Sequence, residues 1–187
     1  MRCFLASWPD EATRTFLDDA AQQAARLYPK ARRVPRDNLH LTLAFIGELA
    51  VPKAAEAVQA LRAAVQEPFE WRIDHVGRFE RARVVWVGGQ PEPRLVRMAE
   101  MVRTQLQSLA IPFDPKPFVP HVTLLRDVRQ ATERPAQRTA DPGGSVQAIT
   151  PFRWLIREAH LMLSERTPQG ATRYRTFEES DPFRIVV

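Results

Sequence analysis

The order of apolar and polar residues predicts where the chain forms helices and strands, because a helix repeats its pattern about every 3.6 residues and a strand every two. Three segments have the helical period: residues 10–27, 52–65 and 93–109. Apolar runs that end at glycine, proline or polar residues predict strands. These runs cover residues 2–7, 38–47, 69–76, 82–87 and 118–125. Residues 146–165 hold two more strands at most, and residues 174–177 hold one.

Each predicted helix has an apolar face that we expect to pack against a sheet. In the first helix this face comprises Phe16, Ala20, Ala24 and Leu27. In the third helix it comprises Leu95, Met98, Val102 and Leu106. Residues 127–145 lack such a pattern and are polar and rich in arginine, so we predict a mobile loop there.

The predicted strands and helices follow one another in a similar order in the two halves of the chain. This similarity indicates an internal duplication whose spacing is far longer than that of solenoid repeats. No linker-like stretch separates the halves. We therefore predict a single bilobal α+β domain over residues 1–187.

The composition is that of a soluble globular protein, with 44% hydrophobic and 26% charged residues. It excludes a disordered chain, a collagen-like repeat and a small disulfide-rich scaffold. No apolar run approaches the roughly 20 residues that cross a bilayer, so no membrane association is expected. The single cysteine, Cys3, has no partner for an internal disulfide, which favours a reducing, cytoplasmic compartment.

The positive charge comes almost entirely from arginine. Lysine and arginine total 27 against 22 acidic residues, and only Lys30, Lys53 and Lys116 are lysines. The planar guanidinium suits phosphate oxygens, which makes an anionic or nucleic-acid partner plausible. Codon bias in a GC-rich genome accounts for the same composition, so a more specific signal is needed.

Two short motifs of the form His-apolar-Thr-Leu provide that signal. They are His40-Leu41-Thr42-Leu43 and His121-Val122-Thr123-Leu124, one in each half of the chain. Because strand residues two apart point to the same face, each motif presents one imidazole and one hydroxyl while its apolar residues pack behind. If an approximate two-fold relates the halves, the two pairs line opposite sides of one cleft.

Such a pair of histidines suits attack on a phosphodiester. One neutral imidazole takes a proton from water, and one protonated imidazole gives a proton to the leaving oxygen, since the ordinary histidine pKa of about 6.5 allows both forms near neutral pH. The threonine hydroxyls can donate hydrogen bonds to phosphate oxygens. A single motif would more often be a half-buried sheet histidine, but two copies at matching places favour catalysis.

The residues around both motifs resemble the two-histidine (2H) phosphoesterases, and most closely the RNA 2′,3′-cyclic phosphodiesterase branch, also called 2′-5′ RNA ligase. The similar segments are MRCFLA at residues 1–6, NLHLTLAFIGE at 38–48 and PFVPHVTLLR at 117–126. The run LMLS at 161–164, followed by Gly170 and Tyr174, also matches the family's C-terminal pattern. The likeness covers nearly the whole chain.

The resemblance implies two pseudo-symmetric βα lobes with antiparallel sheets around a central cleft, and opening of RNA 2′,3′-cyclic phosphates to 2′-phosphates. It implies that His40 is the proton donor and His121 the proton acceptor. Thr42 and Thr123 would hold the phosphate, with Arg126 as a further binder. Arg126 lies five residues beyond His121, so it reaches the cleft only if a bend or bulge interrupts the strand. No cofactor and no metal are expected, and the partner is RNA or a cyclic nucleotide bound by a monomer.

Two other functions remain open at this point. The same acid–base pair serves the reverse reaction, so formation of 2′-5′ linkages could be the main activity. A cleft that binds RNA without turnover is the second alternative. His75 and His160 lack a threonine two positions on, and the histidine spacing matches no common zinc motif. Several aromatic residues could stack on a base: Phe4, Phe45, Trp86, Phe118 and Tyr174.

Overall fold

A computed structural model describes residues 1–64, 67–129, 146–168 and 170–177 of the chain. Residues 130–145 of the predicted loop and the last residue of the second predicted helix lie outside this range. The described strands are β1 (Arg2–Ser7), β2 (Arg32–Arg33), β3 (Leu41–Glu48), β4 (Phe69–Phe79), β5 (Val84–Gly88), β6 (His121–Arg126), β7 (Val146–Ile156), β8 (His160–Arg166) and β9 (Thr172–Thr176). The helices are α1 (Glu11–Leu27), α2 (Val51–Ala63) and α3 (Pro93–Ser108).

All the described strands belong to one antiparallel sheet, in the order β7-β4-β5-β6-β3-β1-β8-β9, with β2 paired to β6. Its two halves meet at β3 and β6, where a single residue pair, Leu41 with Val122, joins them. We call β3, β1, β8 and β9 the first half-sheet, and β7, β4, β5 and β6 the second. The α+β prediction is correct, and the sheets of the two lobes are continuous through this one pair.

The helices cover one face of the sheet, which we call the helix face. Helix α1 packs against β5, β6 and β7, whereas α2 and α3 pack on each other and against β8 and β3 respectively. Helix α1 follows β1 of the first half-sheet in sequence but covers the second. This crossing ties the two lobes together, because each lobe buries apolar surface contributed by the other part of the chain.

The buried face of α1 differs from the predicted one. Its buried residues are Thr13, Leu17, Ala21 and Ala24, while Leu27 is 69% exposed. Phe16 lies at the edge of the contact, where its ring stacks on Phe152 of β7 at 4.3 Å between centroids. The two faces overlap at Ala24, and Phe16 and Ala20 are partly buried beside the core, so the buried face is rotated by about one residue from the predicted one. The predicted face of α3 is correct in full.

Candidate active site

Both His-Thr motifs lie at the junction of the half-sheets. Leu41 and Val122, the joining pair, are fully buried on the helix face. Continuing the same antiparallel register sets His40 opposite Thr123 and Thr42 opposite His121. These four side chains are half-buried on the other face of the sheet, which we call the cleft face. The predicted convergence of the two motifs is therefore present.

The two imidazoles are held in the same way. Nδ1 of His40 lies 2.7 Å from the carbonyl oxygen of Asn38, and Nδ1 of His121 lies 2.7 Å from that of Val119. Because a carbonyl can only accept, each Nδ1 carries the proton and donates it. The neutral ring then has its lone pair on Nε2, which is the atom left for the substrate.

Both histidines favour the neutral form in the free protein. Burial is the main cause that lowers the pKa of His40 to about 4; the bond to Asn38 opposes this shift, and the charges of Arg126 and His121 add to it. Burial also lowers the pKa of His121, with Arg126 contributing in the same direction. The register of β6 puts Arg126 on the same face as both rings, which accords with its effect on both pKa values.

A bulge in β6 brings Arg126 to this face. Trp86 of β5 pairs with Thr123 while its neighbour Val85 pairs with Leu125, so Leu124 is an extra residue. Leu124 and Leu125 are both buried, and the alternation resumes with Arg126 on the side of His121. The bulge expected from the sequence is confirmed.

The first half-sheet has the same irregularity at the equivalent place. Thr42 pairs with Ala6, and Ala44 pairs with Leu5, which leaves Leu43 as the extra residue of β3. Phe45 therefore occupies the position that Arg126 holds in the second half-sheet. Phe45 is 38% exposed, so one side of the cleft carries a cation where the other carries an aromatic ring.

Three aromatic rings surround His40. The indole of Trp8 stacks parallel to the imidazole at 5.4 Å between centroids, and Phe4 lies at 4.7 Å. Tyr174 of β9 meets the ring edge-on at 5.2 Å. This cluster is separate from the main core of the described residues. It excludes water from most of the imidazole, which is the physical cause of the low pKa.

His121 sits against a different pair of rings, Phe79 at 5.0 Å and Trp86 at 6.1 Å. Trp86 is 3% exposed. Its six-membered ring lies over Gly77 and Gly88, where an added Cβ would come within 2.2 Å and 2.9 Å of ring carbons. The two glycines thus leave room for the indole that supports His121.

Replacing Gly77 with alanine is expected to destabilise the protein by about 1–3 kcal/mol, because the new methyl group overlaps the indole of Trp86, which can shift only by disturbing the cluster packed around it. Displacement of Trp86 also moves its neighbour His121, so activity should fall more than the loss of folded protein explains. Urea unfolding and kcat measured on folded protein test this. Gly170→Ala is the control, since that position has no atoms within 4 Å and strain alone is added through its φ of +79°. Equal kcat in both variants would contradict the prediction.

Acid is expected to destabilise the protein through His40. The unfolded chain has the ordinary pKa of 6.5 and the folded chain a pKa of about 4, so the unfolded state binds more protons between these values. The stability that the protein gains from keeping His40 neutral is complete above pH 6.5, declines as the pH falls, and is lost below about pH 4. At most about 3 kcal/mol is involved. Unfolding of wild type and His40→Asn across this range measures it, and an unchanged acid dependence in the variant would contradict the assignment.

Comparison with known proteins places this arrangement in a family. The family model described as the 2′-5′ RNA ligase superfamily matches residues 9–168, a span that includes both motifs. The chain belongs to the 2′-5′ RNA ligase superfamily. The resemblance inferred from the motifs is thereby confirmed.

Curated members of the 2′-5′ RNA ligase superfamily with similar sequences carry the name RNA 2′,3′-cyclic phosphodiesterase. The Escherichia coli protein is 40% identical over 156 residues, covering 81% of each chain. The Thermus thermophilus protein is 31% identical over 180 residues, covering 91% of this chain and 85% of its own.

Solved structures of similar proteins share the fold over nearly the full length. Escherichia coli LigT in complex with 3′-AMP aligns with a TM-score of 0.73 and 29% identity, covering 95% of both chains. A protein of Thermus thermophilus aligns with a TM-score of 0.74 and 31% identity, covering 95% of this chain and 96% of its own. The predicted α+β architecture is confirmed.

The other histidines share the cleft face but lie farther out. Gly88 pairs with both His121 and His75, so His75 lies two strands away from His121. The Nδ1 of His75 lies 2.8 Å from a carboxylate oxygen of Asp74. His160 lies two strands from Thr42 and is 3.3 Å from Glu158. Within the described ranges no three histidine, cysteine, aspartate or glutamate side chains are grouped so that they could hold a metal ion.

A cavity of about 440 Å³ lies on the helix face, between α1 and strands β4, β5 and β7. Phe16, Tyr28 and Arg78 are among its lining residues, and none of the predicted site residues is. Both motifs lie on the cleft face, whereas this cavity lies on the opposite face of the second half-sheet. We assign the chemistry to the cleft, because the imidazoles and the arginine converge there.

The candidate aromatic residues have different positions. Phe4, Trp86 and Tyr174 pack around the histidines, and Phe118 packs against the main core. Phe45 is exposed on the cleft face, with the guanidinium carbon of Arg2 5.2 Å from its ring centre. Of the five candidates, Phe45 therefore has the position best suited to stacking on a base.

Proposed function

We propose that this chain is an RNA 2′,3′-cyclic phosphodiesterase, which opens a terminal cyclic phosphate and leaves a 2′-phosphate and a 3′-hydroxyl. The observation that carries the proposal is the pair of imidazoles at one strand junction, each oriented through Nδ1, with Arg126 acting on both. The names of the similar curated proteins support the same reaction.

His121 acts as the base in this proposal. Its Nε2 takes a proton from water while the water oxygen attacks phosphorus. Burial and Arg126 lower the pKa of His121, so the ring is neutral at neutral pH and its Nε2 lone pair is available. Val119 holds the tautomer that leaves this lone pair in place.

His40 acts as the acid, and it must first gain a proton on Nε2. In the free protein its pKa of about 4 opposes this. A bound phosphodiester brings a negative charge next to the ring and to Arg126, which raises the pKa of His40 toward neutrality. Substrate binding and protonation of the acid are thus coupled. As the P–O3′ bond breaks, His40 gives its proton to O3′.

Thr42, Thr123 and Arg126 bind the phosphate. In the part of the chain that is described, neither threonine hydroxyl has a hydrogen-bond partner and Arg126 has no acidic partner. A half-buried cation with two hydroxyl donors beside it forms a site for an anion. These donors are placed to stabilise the charge that develops on the non-bridging oxygens.

Incubation with a 2′,3′-cyclic nucleotide is expected to release the 2′-phosphate isomer, at a rate that EDTA does not change, because the two imidazoles supply the proton transfers. The two isomers are separated by chromatography or by phosphorus NMR. Release of the 3′-phosphate would contradict the assigned roles, and loss of activity with EDTA would contradict the metal-free mechanism. Incubation of RNA ends bearing a 2′,3′-cyclic phosphate and a 5′-hydroxyl tests ligation, the alternative direction.

The monomeric state and the cytoplasmic location remain predictions from the sequence. All five proposed site residues come from one chain, so a monomer has a complete site. None of the helices in the described residues combines the length and apolar composition needed to cross a bilayer. Cys3 is buried, and burial raises the pKa of its thiol to about 11. Both effects lower the thiolate fraction and the reactivity of Cys3 relative to an exposed cysteine.

A further inference from the structure

Strand β2, which the sequence pattern did not predict, adds a second arginine to the cleft face. β2 runs along β6 beyond the point where β3 diverges, and its Arg32 pairs directly with Arg126. Directly opposed residues of an antiparallel pair point to the same face, with backbones about 5 Å apart. Since the bulge in β6 places Arg126 on the cleft face, its partner Arg32 lies on that face as well, next to the proposed phosphate site.

Two arginines opposite each other repel, so this pairing costs stability unless an anion compensates. Asp127 compensates in part, because its carboxylate accepts a hydrogen bond of 3.1 Å from Nε of Arg32. Neither Nη group of Arg32 has a partner among the described residues, and the side chain is 63% exposed. The guanidinium is thus oriented by Asp127 with two nitrogens directed to solvent.

We propose that Arg32 binds the phosphodiester on the 5′ side of the terminal nucleotide, so that the enzyme distinguishes an RNA end from a free cyclic nucleotide. This inference rests on the proposed function, since it takes the cyclic phosphate to lie at Arg126. The next phosphate along the RNA then falls at the neighbouring strand, where Arg32 offers a fork of donors for its oxygens.

The adjacent arginine of β2 provides a matched control. Arg33 points to the other face of the strand, where Nη1 lies 3.7 Å from Oδ1 of Asp18 in α1. It has the same charge and the same strand as Arg32 but cannot reach the cleft. A purely electrostatic effect of the basic chain would involve both residues, whereas a contact with one phosphate involves Arg32 alone.

The experiment compares kcat/KM for a 2′,3′-cyclic mononucleotide and for a short oligoribonucleotide that ends in the same cyclic nucleotide, using wild type, Arg32→Gln and Arg33→Gln. For Arg32→Gln we expect a loss of about tenfold on the oligonucleotide, mainly in KM, and of at most about twofold on the mononucleotide. The wild type prefers the oligonucleotide, and Arg33→Gln keeps this preference.

Binding of a fluorescent oligoribonucleotide with a 2′-phosphate end provides a readout that needs no turnover. In Arg32→Gln the slope of log Kd against log salt should fall by about one, and Arg33→Gln should keep the wild-type slope. Equal losses on both substrates, or an unchanged salt slope in Arg32→Gln, would overturn the inference. If the wild type opens neither cyclic substrate, the proposed function fails, and the binding measurement still decides whether Arg32 contacts RNA.

Discussion

Replacing His121 or His40 with asparagine is expected to lower kcat for a 2′,3′-cyclic nucleotide by about 10²–10⁴-fold in each case. Asparagine retains polar atoms close to the imidazole position but transfers no proton at neutral pH. Thr42, Thr123 and Arg126, which bind the phosphate in the proposed mechanism, are unchanged in these variants, so we expect a smaller change in KM than in kcat. Steady-state kinetics on folded variants measure the effect. Activity within tenfold of wild type in either variant would contradict two-histidine catalysis.

The roles of acid and base can be separated with a substrate whose leaving group needs no proton. An aryl phosphodiester such as bis(p-nitrophenyl) phosphate releases a stable phenolate without an acid. His40→Asn should then lose far less activity than it does with the cyclic nucleotide, whereas His121→Asn should be equally impaired on both. The converse result would exchange the two roles. This separation matters because the hydrogen bonds of the two rings are equivalent in geometry.

Replacing Arg126 with glutamine is expected to lower kcat/KM for the cyclic nucleotide by about 10²–10³-fold, since one charged donor to the phosphate is removed. The same change should raise the pKa of both His40 and His121 in the free protein, because the charge of Arg126 lowers both. NMR titration of the imidazole signals measures this second effect without any substrate.

Two control variants make the result on Arg126 specific. Arg126→Lys keeps the charge but loses the planar fork, so it should retain the low histidine pKa values while recovering only part of the activity. Arg33→Gln removes a positive charge from the neighbouring strand on the helix face. It should change neither kcat/KM for the cyclic nucleotide nor the pKa values of the two histidines. Unchanged histidine titration in Arg126→Gln would show that the guanidinium lies away from the cleft.

The sequence predicted those parts of the site that depend only on the alternation of side chains along a strand. His40 and Thr42, like His121 and Thr123, lie two residues apart, and any regular strand puts such residues on one face. The bulge followed from the same argument, because Arg126 lies five residues after His121 and would point to the opposite face of a regular strand. Two consecutive apolar residues, Leu124 and Leu125, mark the bulge in the sequence, and both are buried in the structure.

Other features depended on neighbours that no local pattern identifies. The rings around His40 come from β1, the segment after β1 and β9, all distant from His40 in the chain, and only the sheet order brings them to it. Strand β2 is two arginines long and has no apolar alternation. It is a strand because β6 offers an unpaired edge beyond its contact with β3.

The sequence by itself determined the elements other than β2, the α+β class and the two motifs, because these depend on the spacing of residues within short segments. It also placed the chain among the two-histidine phosphoesterases. The tertiary structure alone decided that the motifs meet at one residue pair, that burial and Arg126 keep both imidazoles neutral, and that Arg32 stands beside Arg126. Convergence, desolvation and charge proximity arise between segments distant in the chain, so only the folded arrangement contains them.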